Sequence, residues 1–219
     1  YIRPFESSYA IGHSAVAVSQ VRDEVERMRD MVGKNISAAF DTLISYDDKL
    51  RQKVGEREEY IDYLNKGISE YIVSLMASEM SMDDSRKING YYSIVSNLER
   101  IADHAVNIAE YADDMKKWDL QFSDNVLEEL GEMKKQCMAS LDTIKEVTSE
   151  NADDVLKQAA AMEQKNDNMR DKYFKKQMQR LKKGKCKPQS GIVFSEILTD
   201  FERMGDHVLN IAQEYKEME

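Results

Sequence analysis

Carboxylate side chains recur at a fixed helical spacing within two copies of one polar phrase. The first copy, LERIADHAVNIA, covers residues 98–109, and the second, FERMGDHVLNIA, covers residues 201–212. In each copy a Glu, an Asp and an Asn stand four residues apart and so form one line on a single helical face. Because an apolar helix core tolerates many different residues, the return of the same polar residues in order indicates a repeated task.

A second Glu-x-x-x-Asp pair lies upstream of each copy, formed by Glu58 with Asp62 and by Glu163 with Asp167. Like charges one helical turn apart repel, at a cost of roughly a few tenths of a kcal/mol in solvent and more when partly buried. Four such pairs in equivalent places predict a compensating cation, and clusters of carboxylate oxygens suit divalent metals. The predicted metal ligands are Glu58, Asp62, Glu99, Asp103, Glu163, Asp167, Glu202 and Asp206.

Other polar residues of the phrase are predicted to support these ligands rather than to bind metal. His104 and His207 point about 100° around the helix from the aspartates before them, which favours hydrogen bonding over direct ligation. Arg100 and Arg203 offer an alternative source of positive charge, in which case the acidic lines are structural salt bridges between helices. The supporting candidates are Arg100, His104, Asn107, Arg203, His207 and Asn210.

Composition narrows the class of protein. Only 9 Gly and 2 Pro, with 33% charged residues, is typical of a helical chain with few turns. No apolar stretch reaches the ~20 residues that cross a bilayer. A net charge of -10 argues against nucleic acid as a partner and suits cation binding. Cys137 and Cys186 form no metal-ligand spacing and no disulfide framework, which fits a reducing compartment.

Six segments show the apolar spacing of amphipathic helices, three on each side of a short link near residues 117–122. Asp47, Ser81 and Ser123 are candidate helix starts, and Gly184 marks the end of the fifth segment. The sequence therefore predicts an all-α chain with two three-helix repeats, residues 1–118 and residues 119–219.

Four lysines, Lys182, Lys183, Lys185 and Lys187, surround Cys186 in the connection before the last helix. One interpretation is a solvated loop without further role. The other is contact with an anionic membrane surface.

Together, the two phrases and the two upstream pairs resemble the signature of the PhoU family of phosphate-uptake regulators. The resemblance extends from about His13 to Glu219. It implies two tandem three-helix bundles of spectrin-repeat-like helices related by pseudo-two-fold symmetry. In some members of the family, iron or zinc is bound as multinuclear clusters on the bundle surfaces. The resemblance also implies regulation of phosphate transport and no catalysis. Ala102 replaces the glycine that usually precedes the aspartate, whereas Gly205 keeps it.

PhoU-like chains occur in two settings. The start at Tyr1-Ile-Arg-Pro4, without an initiator Met, favours the cytoplasmic tail of a sodium/phosphate symporter. The alternative is a free-standing negative regulator of a phosphate ABC transporter and its sensor kinase. Both settings place the chain at the cytoplasmic face of the membrane. Both predict a phosphate transporter as the partner, either in the same chain or as a separate protein. Both are compatible with a homodimer.

Two further classes fit the sequence less well. A carboxylate di-metal enzyme of the ferritin-like type uses Glu-x-x-His with the histidine as a ligand. Here Ala102 and Gly205 occupy the positions that such histidines would need, so no enzyme is predicted. A plain helical scaffold leaves the repeated polar phrase unexplained.

Overall fold

Six α-helices make up residues 14–219, the part of the chain that the computed structural model describes. No strand occurs within that range, and the all-α prediction is confirmed. The Tyr1-Ile-Arg-Pro4 segment, on which the symporter-tail prediction drew, lies outside the described residues. The helices are α1 (Ser14–Ile44), α2 (Asp48–Met76), α3 (Met82–Lys117), α4 (Asp124–Thr143), α5 (Ala152–Lys182) and α6 (Pro188–Glu217).

Capping residues set several of the helix ends. Asp47 and Ser81 each accept a hydrogen bond from the backbone N–H three residues later, at 2.7 and 3.0 Å. Ser123 also occupies an N-cap position, but its side chain makes no capping hydrogen bond. Gly184 follows the end of α5 with a φ of +63°, a left-handed conformation that glycine adopts without strain.

The helices form two three-helix bundles, one from α1, α2 and α3 and the other from α4, α5 and α6. Large apolar side chains such as Leu64, Ile94, Leu130 and Phe201 are at most 1% exposed in their cores. Burial of each stabilises the fold by about 1.5–3 kcal/mol. Contacts of α3 with α6, and of α1 with α4, join the bundles, and the predicted two-bundle architecture is confirmed.

The contact between α3 and α6, which we call the seam, is antiparallel. Tyr91 packs edge-on against Tyr215, and His104 stacks on His207 with ring centroids 5.6 Å apart. Because His104 and His207 are equivalent residues of the two phrases, the local pseudo-two-fold axis passes between their rings. The duplication seen in the sequence therefore becomes a symmetric contact between the two halves.

Gly205 allows α5 and α6 to approach closely beside the second acidic pairs. A Cβ atom at this position would lie 2.3 Å from Nδ2 of Asn166. Asn166 is 1% exposed and its amide has no hydrogen-bond partner among the described residues. In the first bundle the equivalent residues are Ile61 and Ala102, both buried. The glycine is thus required in the half where its neighbour is a buried amide.

We predict that Gly205→Ala destabilises the protein, although alanine favours a helix over glycine by about 1 kcal/mol. The overlap with Asn166 costs about 1–3 kcal/mol, because the buried amide has little room to move. Urea unfolding measures the difference. In an Asn166→Ala background the obstacle is gone, and Gly205→Ala should then be neutral or stabilising. Stabilisation by Gly205→Ala in the otherwise unchanged protein would contradict the predicted overlap.

Candidate functional site

Three carboxylates converge where α5 packs against α6. Glu163 and Asp167 lie one turn apart on α5, and Asp206 faces them from α6. Oxygen atoms of the three side chains lie within 4.8 Å of one another, and all three residues are partly buried. Within residues 14–219 this is the one group of three or more acidic, histidine or cysteine side chains with donor atoms so close. We call these residues and Glu202 the second cluster.

Glu202, the fourth predicted ligand of the second cluster, is held by an arginine. Nε of Arg170 lies 3.3 Å from Oε2 of Glu202, and its guanidinium also lies over the ring of Phe174. Arg170 is not among the site residues predicted from the sequence. Its position one turn beyond Asp167, on the face that carries the acidic pair, was the available signal.

The first cluster consists of Glu58 and Asp62 on α2 with Glu99 and Asp103 on α3. Burial raises the pKa of Glu58 to about 7, with further contributions from the negative charges of Asp62, Asp103 and Glu110. Burial, followed by the charge of Asp62, also raises the pKa of Asp103. The charges of α3 thus act on α2, but within residues 14–219 the donor atoms of this cluster do not converge as closely as those of Glu163, Asp167 and Asp206. A shared site in the first cluster therefore stays a prediction.

The pKa values of carboxyl groups in the second cluster are also raised. Burial raises the pKa of Glu163, and the charges of Asp167 and Asp206 raise it further. Burial also raises the pKa of Asp206, and the charges of Glu202 and Asp167 raise it further. Both clusters therefore hold negative charge that the fold does not fully compensate, and each favours an added proton or cation.

The two clusters differ in charge although they are equivalent in sequence. Asn65 occupies the position in the first bundle that corresponds to Arg170 in the second. Gln213 occupies the position in the second bundle that corresponds to Glu110 in the first. The first cluster thus has the charge of Glu110 beside it and no counterpart of Arg170, whereas the second cluster has Arg170 and an uncharged Gln213. The charge of Arg51 lowers the pKa of Glu58, but as a weaker influence than burial and the neighbouring carboxylates.

His104 and Asn107, predicted as supporting residues, direct their polar atoms across the seam to Asp200. Nδ1 of His104 lies 2.6 Å from Oδ1 of Asp200, and Asn107 donates a hydrogen bond of 3.1 Å to the same oxygen. Tyr111 donates to the other oxygen at 2.7 Å. Asp200 is 5% exposed, so these hydrogen bonds satisfy a carboxylate that is almost entirely removed from solvent.

On the symmetry-related side of the seam an amide replaces this carboxylate. Nδ1 of His207 lies 3.1 Å from Oδ1 of Asn97, and Nδ2 of Asn210 lies 3.4 Å from the same atom. Burial, followed by the charges of His104 and two arginines, lowers the pKa of His207 to about 4, so His207 is neutral at pH 7. Asn97 and Asp200 stand at equivalent positions, which was the sequence signal for this contact.

Arg100 and Arg203 are exposed and form no salt bridge within the described part of the chain. Their charges lower the pKa of Glu99 and Asp206 respectively, but as weaker influences than burial and the neighbouring carboxylates. Interhelical salt bridges from these two arginines, the structural alternative for the acidic lines, are therefore not formed.

Comparison with known proteins gives the family. A family model described as PhoU domain matches the chain twice, over residues 25–112 and 130–215. The chain belongs to the PhoU family. Members of this family are regulatory accessory proteins and not enzymes.

Relatives and solved structures agree with this assignment. A phosphate-specific transport system accessory protein PhoU homolog of Thermotoga maritima is 26% identical over 204 residues, covering 92% of this chain and 87% of that protein. One from Clostridium acetobutylicum is 24% identical, covering 90% and 89%. The crystal structure of PhoU from Pseudomonas aeruginosa superposes with a TM-score of 0.84 at 22% identity, covering 93% of this chain and 97% of that one. At 22% identity, the similarity to that crystal structure is evidence for the fold only.

In the described residues of this PhoU-family chain, none of the six helices combines the length and apolar character needed to span a membrane.

Glu58 is expected to make the metal-free protein less stable as the pH rises. Its pKa is 4.5 in the unfolded chain and about 7 in the folded protein, so the folded state retains a proton that the unfolded state has lost. The stabilisation that protonated Glu58 contributes to the folded state is therefore fully present below about pH 4.5 and is lost as the pH rises through about 7. Because solvent screens this partly exposed group, we expect a loss of roughly 1 kcal/mol.

Urea unfolding at about pH 5 and about pH 8 in the presence of a chelator measures this loss. Glu58→Gln should reduce the loss, whereas Glu59→Gln, an exposed glutamate on the same helix, should leave it unchanged. An identical pH dependence in the Glu58→Gln protein would show that Glu58 does not carry this effect.

Proposed function

We propose that this chain is an accessory regulator of a phosphate transport system. The observation that carries the proposal is the double PhoU match, together with phosphate-specific transport system accessory proteins that align over nearly their whole length. In this role the chain acts on a membrane phosphate transporter, at the cytoplasmic face of the membrane, and performs no chemical reaction.

The relatives favour an accessory protein that acts on a separate transporter over the tail of a sodium/phosphate symporter. The relatives from Thermotoga maritima and Clostridium acetobutylicum are both accessory proteins, and the alignments cover 87% and 89% of their lengths. Neither name mentions a symporter. The regulator of a phosphate ABC transporter, initially the alternative interpretation, is therefore the function that we propose.

We also propose that the two clusters bind metal ions. Support comes from the oxygen atoms of Glu163, Asp167 and Asp206, which lie within 4.8 Å of one another, and from the raised carboxyl pKa values in both clusters. A cation placed there would offset the repulsion that otherwise favours protonation. The residues present thus fit a metal by both donor type and charge.

The donor set bears on which metal is suitable. The ligands proposed for both clusters are carboxylates, and Nδ1 of His104 is already engaged by Asp200 across the seam. Oxygen donors of this kind suit magnesium, manganese or iron better than zinc, which more often takes nitrogen or sulfur. Iron is therefore our first candidate among the two metals that the family resemblance implies.

A metal in either cluster would join two helices of one bundle. In the first cluster the ligands come from α2 and α3, and in the second from α5 and α6. Because binding to the folded state stabilises that state, metal loading should strengthen these helix contacts. The stability of the α2–α3 and α5–α6 contacts would then depend on the metal supply.

We predict that Asp103→Asn and Asp206→Asn together lower the metal content and remove the stabilisation that metal provides. Each change deletes one negative charge and keeps the side-chain shape. The Tm of the metal-loaded protein should therefore fall toward that of the chelated protein, which itself should stay level or rise because repulsion is relieved. Elemental analysis and thermal melting, with and without chelator, give the two readouts.

Asp23→Asn with Asp154→Asn is the matched control, because both residues are exposed and each lies in a different bundle outside the clusters. This protein should keep the metal content and metal-dependent Tm of the unsubstituted chain. A double variant at Asp103 and Asp206 that bound as much metal as the control would count against the proposed sites.

The regulatory role predicts a change of phosphate uptake in cells. In a strain that lacks the gene, uptake should respond abnormally to phosphate supply, and the unsubstituted chain should restore the response. Asp103→Asn with Asp206→Asn should restore it only in part, whereas the Asp23 and Asp154 control should restore it fully. Radiolabelled phosphate uptake in replete and starved cells measures the response, and uptake that is the same with and without the gene under both conditions would overturn the proposed function.

A further inference from the structure

The second half of α5 and the loop after it form a basic region in an otherwise acidic chain. The sixteen positions 172–187 carry eight Lys or Arg residues and no Asp or Glu. Since the whole chain has 31 basic and 41 acidic residues, the other positions hold 23 basic against 41 acidic ones. We call residues 172–187 the basic patch. A concentration of positive charge of this kind indicates an anionic partner.

Two members of the basic patch are already engaged within the bundle. Arg180 approaches the buried Glu129 of α4 with an N–O distance of 2.8 Å, and Lys176 lies 3.5 Å from the same carboxylate. The remaining six lysines form no salt bridge with any residue of the described chain. They are Lys172, Lys175, Lys182, Lys183, Lys185 and Lys187, and all six are exposed.

The six basic residues without a salt bridge are all lysines, and this bears on the kind of partner. An ammonium group acts as a point charge on a flexible stem, whereas recognition of one carboxylate or phosphate in a fixed orientation commonly uses the fork of arginine. The single arginine of the patch is turned toward Glu129. The patch therefore suits a broad anionic surface better than a single anionic group.

Exposed apolar side chains lie at the same end of the molecule. Trp118, the single tryptophan of the chain, is 51% exposed in the link that follows α3, and Ile192 in the first turns of α6 is 64% exposed. The link and α6 are in contact, since the rings of Phe122 and Phe194 are 6.2 Å apart. Because Pro188 of α6 directly follows the lysine-rich loop, basic and apolar groups occur together at this end.

We propose that this end of the protein docks on the surface of a lipid bilayer that contains anionic phospholipids. Lysines would face the headgroups, while Trp118 and Ile192 would enter the interfacial layer, where tryptophan is favoured. Clusters of four to eight basic residues are typical of such binding. The inference goes beyond the regulation of phosphate transport and does not depend on metal in the clusters.

Trp118 provides a direct probe of the proposed contact. Vesicles of phosphatidylcholine with phosphatidylglycerol should shift its fluorescence to shorter wavelength and should carry the protein into the pellet on sedimentation. Vesicles of phosphatidylcholine alone should do neither. Binding should weaken steeply with added sodium chloride, because surface charges are screened.

Charge variants locate the contact. Lys182→Gln, Lys183→Gln, Lys185→Gln and Lys187→Gln combined should weaken partitioning onto the anionic vesicles by about 100-fold or more, because each lysine near such a surface contributes about fivefold. The matched control removes four exposed lysines elsewhere and should change partitioning little. It combines Lys49→Gln, Lys53→Gln, Lys66→Gln and Lys157→Gln.

Several outcomes would overturn the proposal. These are no binding to the anionic vesicles, an equal loss in both quadruple variants, and inhibition by inorganic phosphate beyond that of sodium chloride at equal ionic strength. Inhibition by inorganic phosphate would indicate a site for the free anion. Absence of binding to the anionic vesicles would leave an acidic protein as the partner. Failure here would leave the phosphate-uptake test unaffected, since that test uses changes in the acidic clusters alone.

Discussion

Repulsion among neighbouring carboxylates, several of them partly buried, is the constraint on which the candidate site and its surroundings depend. Each bundle places acidic side chains of two helices against one another, and burial together with like charge raises their pKa values. Such groups, when they lie near each other, favour a proton, an arginine or a metal ion as compensation. Arg170 supplies part of it in the second bundle, and the first bundle has no equivalent arginine.

Duplication accounts for the symmetry of the molecule, and a few substitutions account for the difference between its halves. His104 and His207 stack across the axis, yet one faces the carboxylate of Asp200 and the other the amide of Asn97. A buried carboxylate with three donors ties the bundles together on one side of the seam. The two halves thus share one scaffold but differ in charge, since Arg170 lies beside the second cluster and Asn65 occupies the equivalent position in the first bundle.

Features that depend on local spacing could be predicted from the sequence. Helix positions, the link near residues 117–122 and the pairing of Glu163 with Asp167 follow from periodicities that packing preserves. Features that depend on contacts between distant segments were missed, among them Arg170 beside Glu202 and Asp200 opposite His104. Neither residue belongs to the repeated phrase, and only the packing of α6 against α5 and α3 shows what each one contacts. The supporting role of the histidines was predicted from the angle between each histidine and the preceding aspartate around the helix. That angle does not show which neighbouring helix the histidine contacts.

Anomalous X-ray scattering from crystals of the purified protein is the measurement that tests the metal-site proposal most directly. Data collected on both sides of the iron, manganese and zinc absorption edges identify the element and its position together. We predict anomalous density between α2 and α3 at Glu58, Asp62, Glu99 and Asp103, and between α5 and α6 at Glu163, Asp167 and Asp206. Crystals of metal-supplemented protein without density at either cluster, or with density only elsewhere, would contradict this prediction.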